Sequence, residues 1–188
     1  MFYYWAQEKT DLVGHVYLAE PDFSVREKQC DYFVVCAKPT DARETLMKAT
    51  IIQSNELERV QVRADDDPSV RWNGAFVLYG GAGTTQSSTI VYEIEPGGRL
   101  GWHTDATEET QYIIAGRGEL HLEDGTVHNI EPGSVFVLPT PLRHDLVNTG
   151  SDTLRAVAFF AAAMFTQSFD NVMLPPRSHV LGTPNRNG

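Results

Sequence analysis

The sequence of this 188-residue chain predicts an all-β barrel or sandwich. Short apolar segments, rich in β-branched and aromatic residues, recur at regular spacing in its second half. Turn signals separate these segments, among them Pro96-Gly97-Gly98, Asp124-Gly125 and Pro132-Gly133. Apolar residues make up 41% of the chain, which is enough to build a hydrophobic core. Several short strands with regular turns are typical of all-β domains.

The predicted elements fall into two groups along the chain. The first contains a helix at Thr40–Lys48, which Asp41 can cap, and strands at Leu57–Val62 and Ala75–Tyr79. The second consists of strands with alternating or apolar patterns, namely Ser88–Ile94, Leu100–Thr104, Gln111–Ala115, Glu119–Leu122, Val127–Ile130, Ser134–Leu138, Arg143–Val147 and Leu154–Phe160.

One domain of this length is expected to have three parts. Residues 1–87 would form an N-terminal extension of additional strands and one short helix, which packs on the barrel or on a dimer partner. Residues 88–165 would form the barrel. Residues 166–188 would form a C-terminal segment that ends in a loose tail from Thr183.

The charge balance argues against some classes of partner. Fifteen basic against 25 acidic residues give a formal net charge of −10. Nucleic acids and anionic membranes attract clustered Lys and Arg, so we expect neither as a partner. The longest apolar run, Ala156–Phe165, is too short for a membrane helix, and Met1–Trp5 does not open a signal peptide. We therefore expect a cytoplasmic protein in which Cys30 and Cys36 are reduced thiols.

Two histidines and two carboxylates are expected to converge inside the barrel. Residues i and i+2 of a strand share a face, so His103 and Asp105 project together. Glu109 heads the next strand after a short turn, and His144 begins a later one. Such polar groups are costly to bury unless a positive charge lies between them, and a divalent cation is the simplest candidate.

Two spaced patterns carry a family resemblance. The first, G-x5-H-x-H-x3-E-x6-G, is met by Gly97, His103, Glu109 and Gly116, with Asp105 in place of the second histidine. The second, G-x5-P-x-G-x2-H-x3-N, is met by Gly133, Pro139, His144 and Asn148, with Pro141 in place of the glycine. In this order the patterns resemble those of the cupin superfamily, whose fold is the double-stranded β-helix, a jelly-roll barrel. The resemblance covers about residues 88–160.

The resemblance implies that His103, Glu109 and His144 are metal ligands. Asp105 stands where the family has a histidine, and because Asp is a competent oxygen ligand it is expected to complete the set. Two carboxylates favour iron(II), manganese(II) or zinc over copper(I). We expect one divalent ion per chain. The alternative is a barrel that has lost its metal and binds a small ligand without it.

The alternation of side chains along a strand predicts the position of further residues. Gln111 shares the face of Glu109, and Leu146 shares the face of His144, so both are candidate substrate-binding residues in the pocket wall. A two-residue Asp124-Gly125 loop would place His121 opposite His128. Their strand face is otherwise polar, so an exposed pair is favoured there over a second metal site.

The resemblance leaves several functions open. The favoured one is a metal-dependent dioxygenase or related oxidoreductase acting on a small organic molecule, and the sequence does not assign catalytic roles. The alternatives are a cupin isomerase or lyase, a non-catalytic ligand-binding cupin, and a 2-oxoglutarate-type oxygenase. The last would use the facial set His103, Asp105 and His144, with Arg155 as a carboxylate anchor.

The chain is also expected to form a homodimer. Its first five residues include Phe2, Tyr3, Tyr4 and Trp5, an aromatic cluster that needs to be covered. Early strands packed on a partner subunit or on the outer sheet of the barrel would cover it.

Overall fold

The computed structural model describes residues 49–184. These residues form twelve strands and one short 3-10 turn at Gly80–Ala82. In chain order the strands are β1 (Val60–Ala64), β2 (Arg71–Leu78), β3 (Ser88–Ile94), β4 (His103–Asp105), β5 (Glu109–Ala115), β6 (Gly118–Leu122), β7 (Val127–Ile130), β8 (Val135–Leu138), β9 (His144–Val147), β10 (Leu154–Phe160), β11 (Thr166–Leu174) and β12 (Ser178–Gly182). The predicted all-β fold is confirmed.

Side-chain alternation explains why the central strands bury one face. In β3 every second residue, from Ser88 to Ile94, is buried, and β10 repeats the pattern from Leu154 to Phe160. β-branched and aromatic residues suit such half-buried strands, because their side chains pack on the pleated surface. Both strands have the bounds that the sequence predicted, as does Val127–Ile130.

The strands form one curled sheet. Its order is β7-β6-β9-β4-β11-β1-β2-β3-β10-β5-β8, and β12 pairs with β11. The strand pairs are antiparallel. Curling brings β4 and β9 opposite β5 and β10, with the main core of buried apolar side chains between them. Two of the early strands, β1 and β2, belong to the same sheet and join its halves.

The C-terminal residues contain two strands that the sequence reasoning missed. β11 pairs with both β1 and β4, so it closes the gap between the early strands and the barrel. Thr183, where a loose tail was expected to begin, is instead buried, and its hydroxyl accepts a hydrogen bond from the Phe165 N–H at 3.3 Å. Polar residues at alternate positions of β11 hid its inward face from a search for apolar runs.

Several predicted strand bounds need correction. The strand predicted at Leu57–Val62 is β1, three residues later, and the strand predicted at Ala75–Tyr79 begins at Arg71. The strand predicted at Leu100–Thr104 corresponds to β4, which begins later, at His103, because Leu100 and Gly101 form a loop, and which ends one residue later, at Asp105. Element ends are where local patterns are least informative, because capping and turn geometry decide them.

The prediction that His121 lies opposite His128 is wrong by one residue. His121 lies opposite Val127, and His128 lies opposite Leu120. The connection has three residues rather than two: Leu122 and Thr126 flank it, joined by a 2.9 Å bond from the Leu122 N–H to the Thr126 carbonyl. A three-residue hairpin loop with glycine at its left-handed position is a common alternative to the two-residue turn.

Some predictions fall on residues outside 49–184. These are the helix at Thr40–Lys48, the thiols of Cys30 and Cys36, and the aromatic residues at the N-terminus on which the homodimer was argued. Within the described residues, no helix combines the length and apolarity needed to cross a bilayer.

Candidate metal centre

Four side chains bring their ligand atoms together in the barrel interior. His103, Asp105, Glu109 and His144 each offer one nitrogen or oxygen, and these atoms all lie within 4.8 Å of one another. All four residues are buried, with 5% exposure or less. His103 Nε2, Asp105 Oδ2, Glu109 Oε2 and His144 Nε2 are also buried atoms without a hydrogen-bond partner. Unpaired buried polar atoms are rare in proteins, so four in one place require an explanation.

Strand pairing produces this convergence. His103 on β4 lies directly opposite His144 on β9, and the two rings are 4.3 Å apart between centroids. Asp105 is two residues beyond His103 and shares its face. Glu109 reaches the group from the other half of the sheet, where it begins β5. The sequence therefore predicted the convergence correctly.

Backbone carbonyls fix both imidazole rings. His103 Nδ1 lies 2.8 Å from the Gly101 carbonyl, and His144 Nδ1 lies 3.0 Å from the Leu142 carbonyl. A carbonyl only accepts, so each Nδ1 donates and each Nε2 keeps its lone pair for the centre. Phe169 on β11 stacks on His103, with ring centroids 4.7 Å apart.

A salt bridge holds the loop that carries the Gly101 carbonyl. The buried carboxylate of Asp145 accepts a 2.9 Å hydrogen bond from the Gly101 N–H and pairs with Arg99. Gly101 has φ +95°, and a Cβ there would lie 2.9 Å from Val70 Cγ1. Glycine is therefore required by both backbone conformation and space. The sequence reasoning missed Asp145, since no spacing pattern distinguishes it from a surface acid.

Gln167 on β11 orients the Asp105 carboxylate by binding one of its two oxygens. Its Nε2 donates to Asp105 Oδ1 at 2.9 Å, which leaves Oδ2 turned to the other ligand atoms. Thr140 also donates to the Asp105 backbone carbonyl at 2.6 Å. Hydrogen bonds from a second layer of residues commonly orient metal ligands in this way. Gln167 was missed because its strand was missed.

The titration behaviour reflects crowding and burial. Burial and the neighbouring His144 lower the pKa of His103 to about 3, so this imidazole is neutral. Burial and the charge of Glu109 raise the pKa of Asp105 to about 7. Burial works to lower the pKa of His144, but the hydrogen bond and charge of Glu109, the Leu142 carbonyl and the charge of Asp105 together raise it. Desolvation and like charges account for these directions.

The four residues fit a divalent metal ion. His144 Nε2 lies 3.5 Å from Glu109 Oε2 and 3.7 Å from Asp105 Oδ2, which leaves the facing lone pairs unpaired. Imidazole nitrogens with carboxylate oxygens suit zinc, iron and manganese. Two carboxylates also balance the charge of a divalent cation, which is what a buried site requires.

Comparison with family models identifies the fold family of part of the barrel. Residues 90–160 match the model of the cupin domain. This segment of the barrel belongs to the cupin superfamily. The match ends before β11, so Gln167 and Phe169 lie outside the segment that the family model covers.

Solved structures similar to the chain share this fold. A predicted oxalate decarboxylase from Thermotoga maritima aligns at 22% identity with a TM-score of 0.54, over 60% of this chain and 99% of its own. The polyketide cyclase RemF from Streptomyces resistomycificus aligns at 16% identity with a TM-score of 0.52, over 60% and 79% of the two chains. The Lactobacillus farciminis oxalate decarboxylase aligns at 19% identity with a TM-score of 0.52, over 62% of this chain but 34% of its own.

At these identities the likeness concerns the fold alone. No curated protein matches the chain.

The two residues predicted as pocket wall are both buried in the cupin barrel. Gln111 is fully buried and accepts a 2.5 Å hydrogen bond from the Tyr92 hydroxyl, while its Nε2 has no partner. Leu146 is fully buried in the main apolar core. Burial and the charges of Glu109 and Asp105 raise the pKa of Tyr92 well above its usual range. Substrate binding by Gln111 and Leu146 stays a prediction.

A small cavity of about 20 Å³ adjoins the candidate metal centre and has room for about one water-sized molecule. His103, Glu109 and Gln167 contribute polar wall, and the remaining wall is mainly aliphatic and aromatic. Two of the four candidate ligands, His103 and Glu109, thus border a confined, largely apolar space.

The remaining candidate residues lie away from the centre. His128 is exposed, and His121 contacts Glu119 at 2.7 Å between Nε2 and Oε2. Arg155 is exposed on β10, whose inward positions are its neighbours Leu154 and Ala156. An outward Arg155 cannot anchor a ligand at the metal centre, which removes the residue that favoured the 2-oxoglutarate alternative.

Proposed function

We propose that this cupin is a metal-dependent oxidoreductase of the dioxygenase type, which acts on a small organic molecule. The observation that carries the proposal is the set of four buried, unpartnered ligand atoms beside a small, largely apolar cavity. His103, Asp105, Glu109 and His144 would hold one iron or manganese ion. Such an ion supplies Lewis acidity and the capacity for electron transfer.

The wall of the small cavity supports oxidoreductase chemistry over proton-transfer chemistry. Isomerases and lyases rely on a group that exchanges protons at working pH. Apart from the four candidate ligands, the neighbouring group that could do so is the Tyr92 hydroxyl, which donates a hydrogen bond to Gln111 and whose pKa is raised by burial. Ile90, Leu100 and Phe160 supply apolar surface instead. A confined apolar space favours a small apolar reactant such as dioxygen over water.

The protein's own contribution is to fix the donor set and exclude water. Carbonyl contacts hold His103 and His144 in the tautomer that presents Nε2, and Gln167 presents a single oxygen of Asp105. Phe169 covers one face of His103. Burial of the whole group keeps bulk water from the reacting atoms, which suppresses side reactions.

Oxygen uptake by protein loaded separately with iron(II), manganese(II) or zinc tests the proposal. The substrate panel would contain phenols, diketones and small carboxylic acids. We expect uptake with at least one of the redox-active metals, dependent on substrate, and none with zinc. His103→Ala should abolish it, and the exposed-residue control His128→Ala should retain it.

Two outcomes would overturn the proposal. Turnover without oxygen uptake, equal with zinc and manganese, would identify an isomerase or lyase. Binding of panel members with no turnover under any metal would identify a ligand-binding cupin.

A further inference from the structure

The outer face of strands β3, β10, β5 and β8 is apolar and exposed. In the strand ladder, Tyr112 of β5 lies between Val157 of β10 and Val135 of β8. These side chains point away from the barrel interior, because the alternate positions of β5 and β10 are buried and Phe136 of β8 packs on the main core. Half of the ten large apolar side chains that are exposed among the described residues lie on this face. They are Tyr112, Ile114, Val135, Val137 and Phe159.

This apolar face is large enough to form the core of an interface. Between its two ends, the outward side chains of the four strands are uncharged, and Thr89 and Thr110 are the polar aliphatic ones among them. Four strands about 4.8 Å apart, with about five residues each at about 3.4 Å, cover on the order of 300 Å². Apolar patches of this order often serve binding. A standard interface buries about 800 Å² per partner and surrounds an apolar core with a polar rim.

Opposite charges stand at the two ends of the apolar face. Glu108 is exposed and directly precedes β5, and its carbonyl accepts a 3.2 Å hydrogen bond from the Ala161 N–H, so it continues the ladder with β10. Arg155 is exposed near the other end of β10, opposite Glu93. Glu93 itself is paired with Arg59 at 2.8 Å. About six residue spacings, or roughly 20 Å, separate the acidic end from the basic one.

We infer that the apolar face is a dimer interface, whose occupant is the same face of a second copy of this chain. A two-fold axis that lies between the faces and runs across the strands lays one apolar face on the other. The same operation brings Glu108 of each copy over Arg155 of its partner, so both end contacts are attractive. Packed sheets lie about 10 Å apart, a distance that two long charged side chains can bridge.

The charge distribution favours a second copy over a partner of another kind. The chain has a formal net charge of −10, so a basic partner would be attracted to its acidic surface rather than to an uncharged face. A contact between identical faces is self-complementary and closes after two copies. None of the four candidate metal ligands lies on this face, so the inference does not depend on the proposed function.

Sedimentation equilibrium of the full-length protein tests the inference. We expect a dimer at micromolar concentration, both with chelator and after manganese loading. Val137→Asp places a carboxylate in the apolar face and should raise the dimer dissociation constant at least about 100-fold. Its control is Val127→Asp, because Val127 is also a half-exposed valine on an edge strand but lies outside the face.

Reversal of the end charges tests whether the partner is a second copy. Arg155→Glu sets two acids against each other across the interface, and Glu108→Arg sets two bases against each other. Each variant should weaken the dimer about tenfold, and the double variant should return to within about threefold of the wild type. Net charge alone predicts a different result, since Glu108→Arg makes the acidic chain less negative and would strengthen association.

Each outcome supports or overturns the inference. A dimer that Val137→Asp dissociates, and that the double charge variant restores, would support it. A monomer under all conditions would overturn it. A dimer that Val137→Asp leaves intact would also overturn it, because the copies would then be joined through another surface. Charge reversals that do not compensate each other in the double variant would exclude the two-fold stacking.

Discussion

Two pairs of histidines lie in this barrel, and they differ in surroundings rather than in kind. His103 and His144 face each other on paired strands, are buried, and keep Nε2 without a partner. His121 and His128 also lie on paired strands, but His121 contacts Glu119 and His128 is exposed. Imidazole is common to both pairs. What distinguishes a metal site is a set of desolvated lone pairs that the protein itself leaves unsatisfied.

Removal of one buried imidazole should have the largest effect on metal binding. His144→Ala should lower the affinity for a divalent ion at least about 100-fold, because a ligand is lost from a four-residue set. His128→Ala should leave it unchanged. Elemental analysis after growth with added iron, manganese and zinc would measure this as a fall from about one ion per chain to nearly none. Equal metal content in both variants would show that the two histidine pairs do not differ in function.

Much of the fold and the convergence of the four candidate ligands could be predicted from the sequence. Alternation and turn signals predicted the barrel strands because each strand buries one face against the same core. The spacing from Gly97 to Gly116 predicted His103, Asp105 and Glu109 together, because glycine turns fix where each ligand leaves the backbone. His144 followed from the second pattern.

The supporting residues could not be predicted in this way. Gln167 and Phe169 reach the centre through β11, which pairs with β4 across more than sixty residues of chain. Asp145 supports the centre through the Gly101 loop, a contact made by folding rather than by spacing. The predicted register of the β6–β7 hairpin was wrong for a local reason. The loop has one additional residue, with Gly125 at φ +86°, and this shifts every pair of facing residues in the two strands.

Loss of a residue that orients a candidate ligand should have a smaller effect on metal binding than loss of the ligand itself. Gln167→Leu removes the donor to Asp105 Oδ1, so the carboxylate is free to rotate, and metal affinity should fall about tenfold to 100-fold. Gln61→Leu is the matched control, since Gln61 is an exposed glutamine on β1. Metal titrations would measure the affinities, with the melting temperature of each metal-free variant as a check on folding. Unchanged affinity in Gln167→Leu would exclude the positioning role.

The smallest expected effect concerns proton linkage at Asp105 in the metal-free protein. Burial and the charge of Glu109 raise its pKa from an ordinary value of 3.8 to about 7 in the folded state. Between these values the folded chain binds a proton that the unfolded chain releases. Asp105 therefore destabilises the fold progressively as pH rises through this interval. His103 acts in the opposite direction below its ordinary pKa of 6.5, because its lowered pKa keeps it neutral in the fold.

Asp105→Asn isolates the Asp105 contribution, because the amide keeps the shape and cannot ionise. With chelator present, the variant should melt a few degrees above the wild type at about pH 7.5, and the difference should shrink towards about pH 5. Manganese should reverse the order at about pH 7.5, since it stabilises the wild type and binds the variant weakly. The exposed-residue control Asp152→Asn should follow the wild type throughout. A variant that is no more stable than the wild type without metal, and equally stabilised by manganese, would show that Asp105 is neither desolvated nor a ligand.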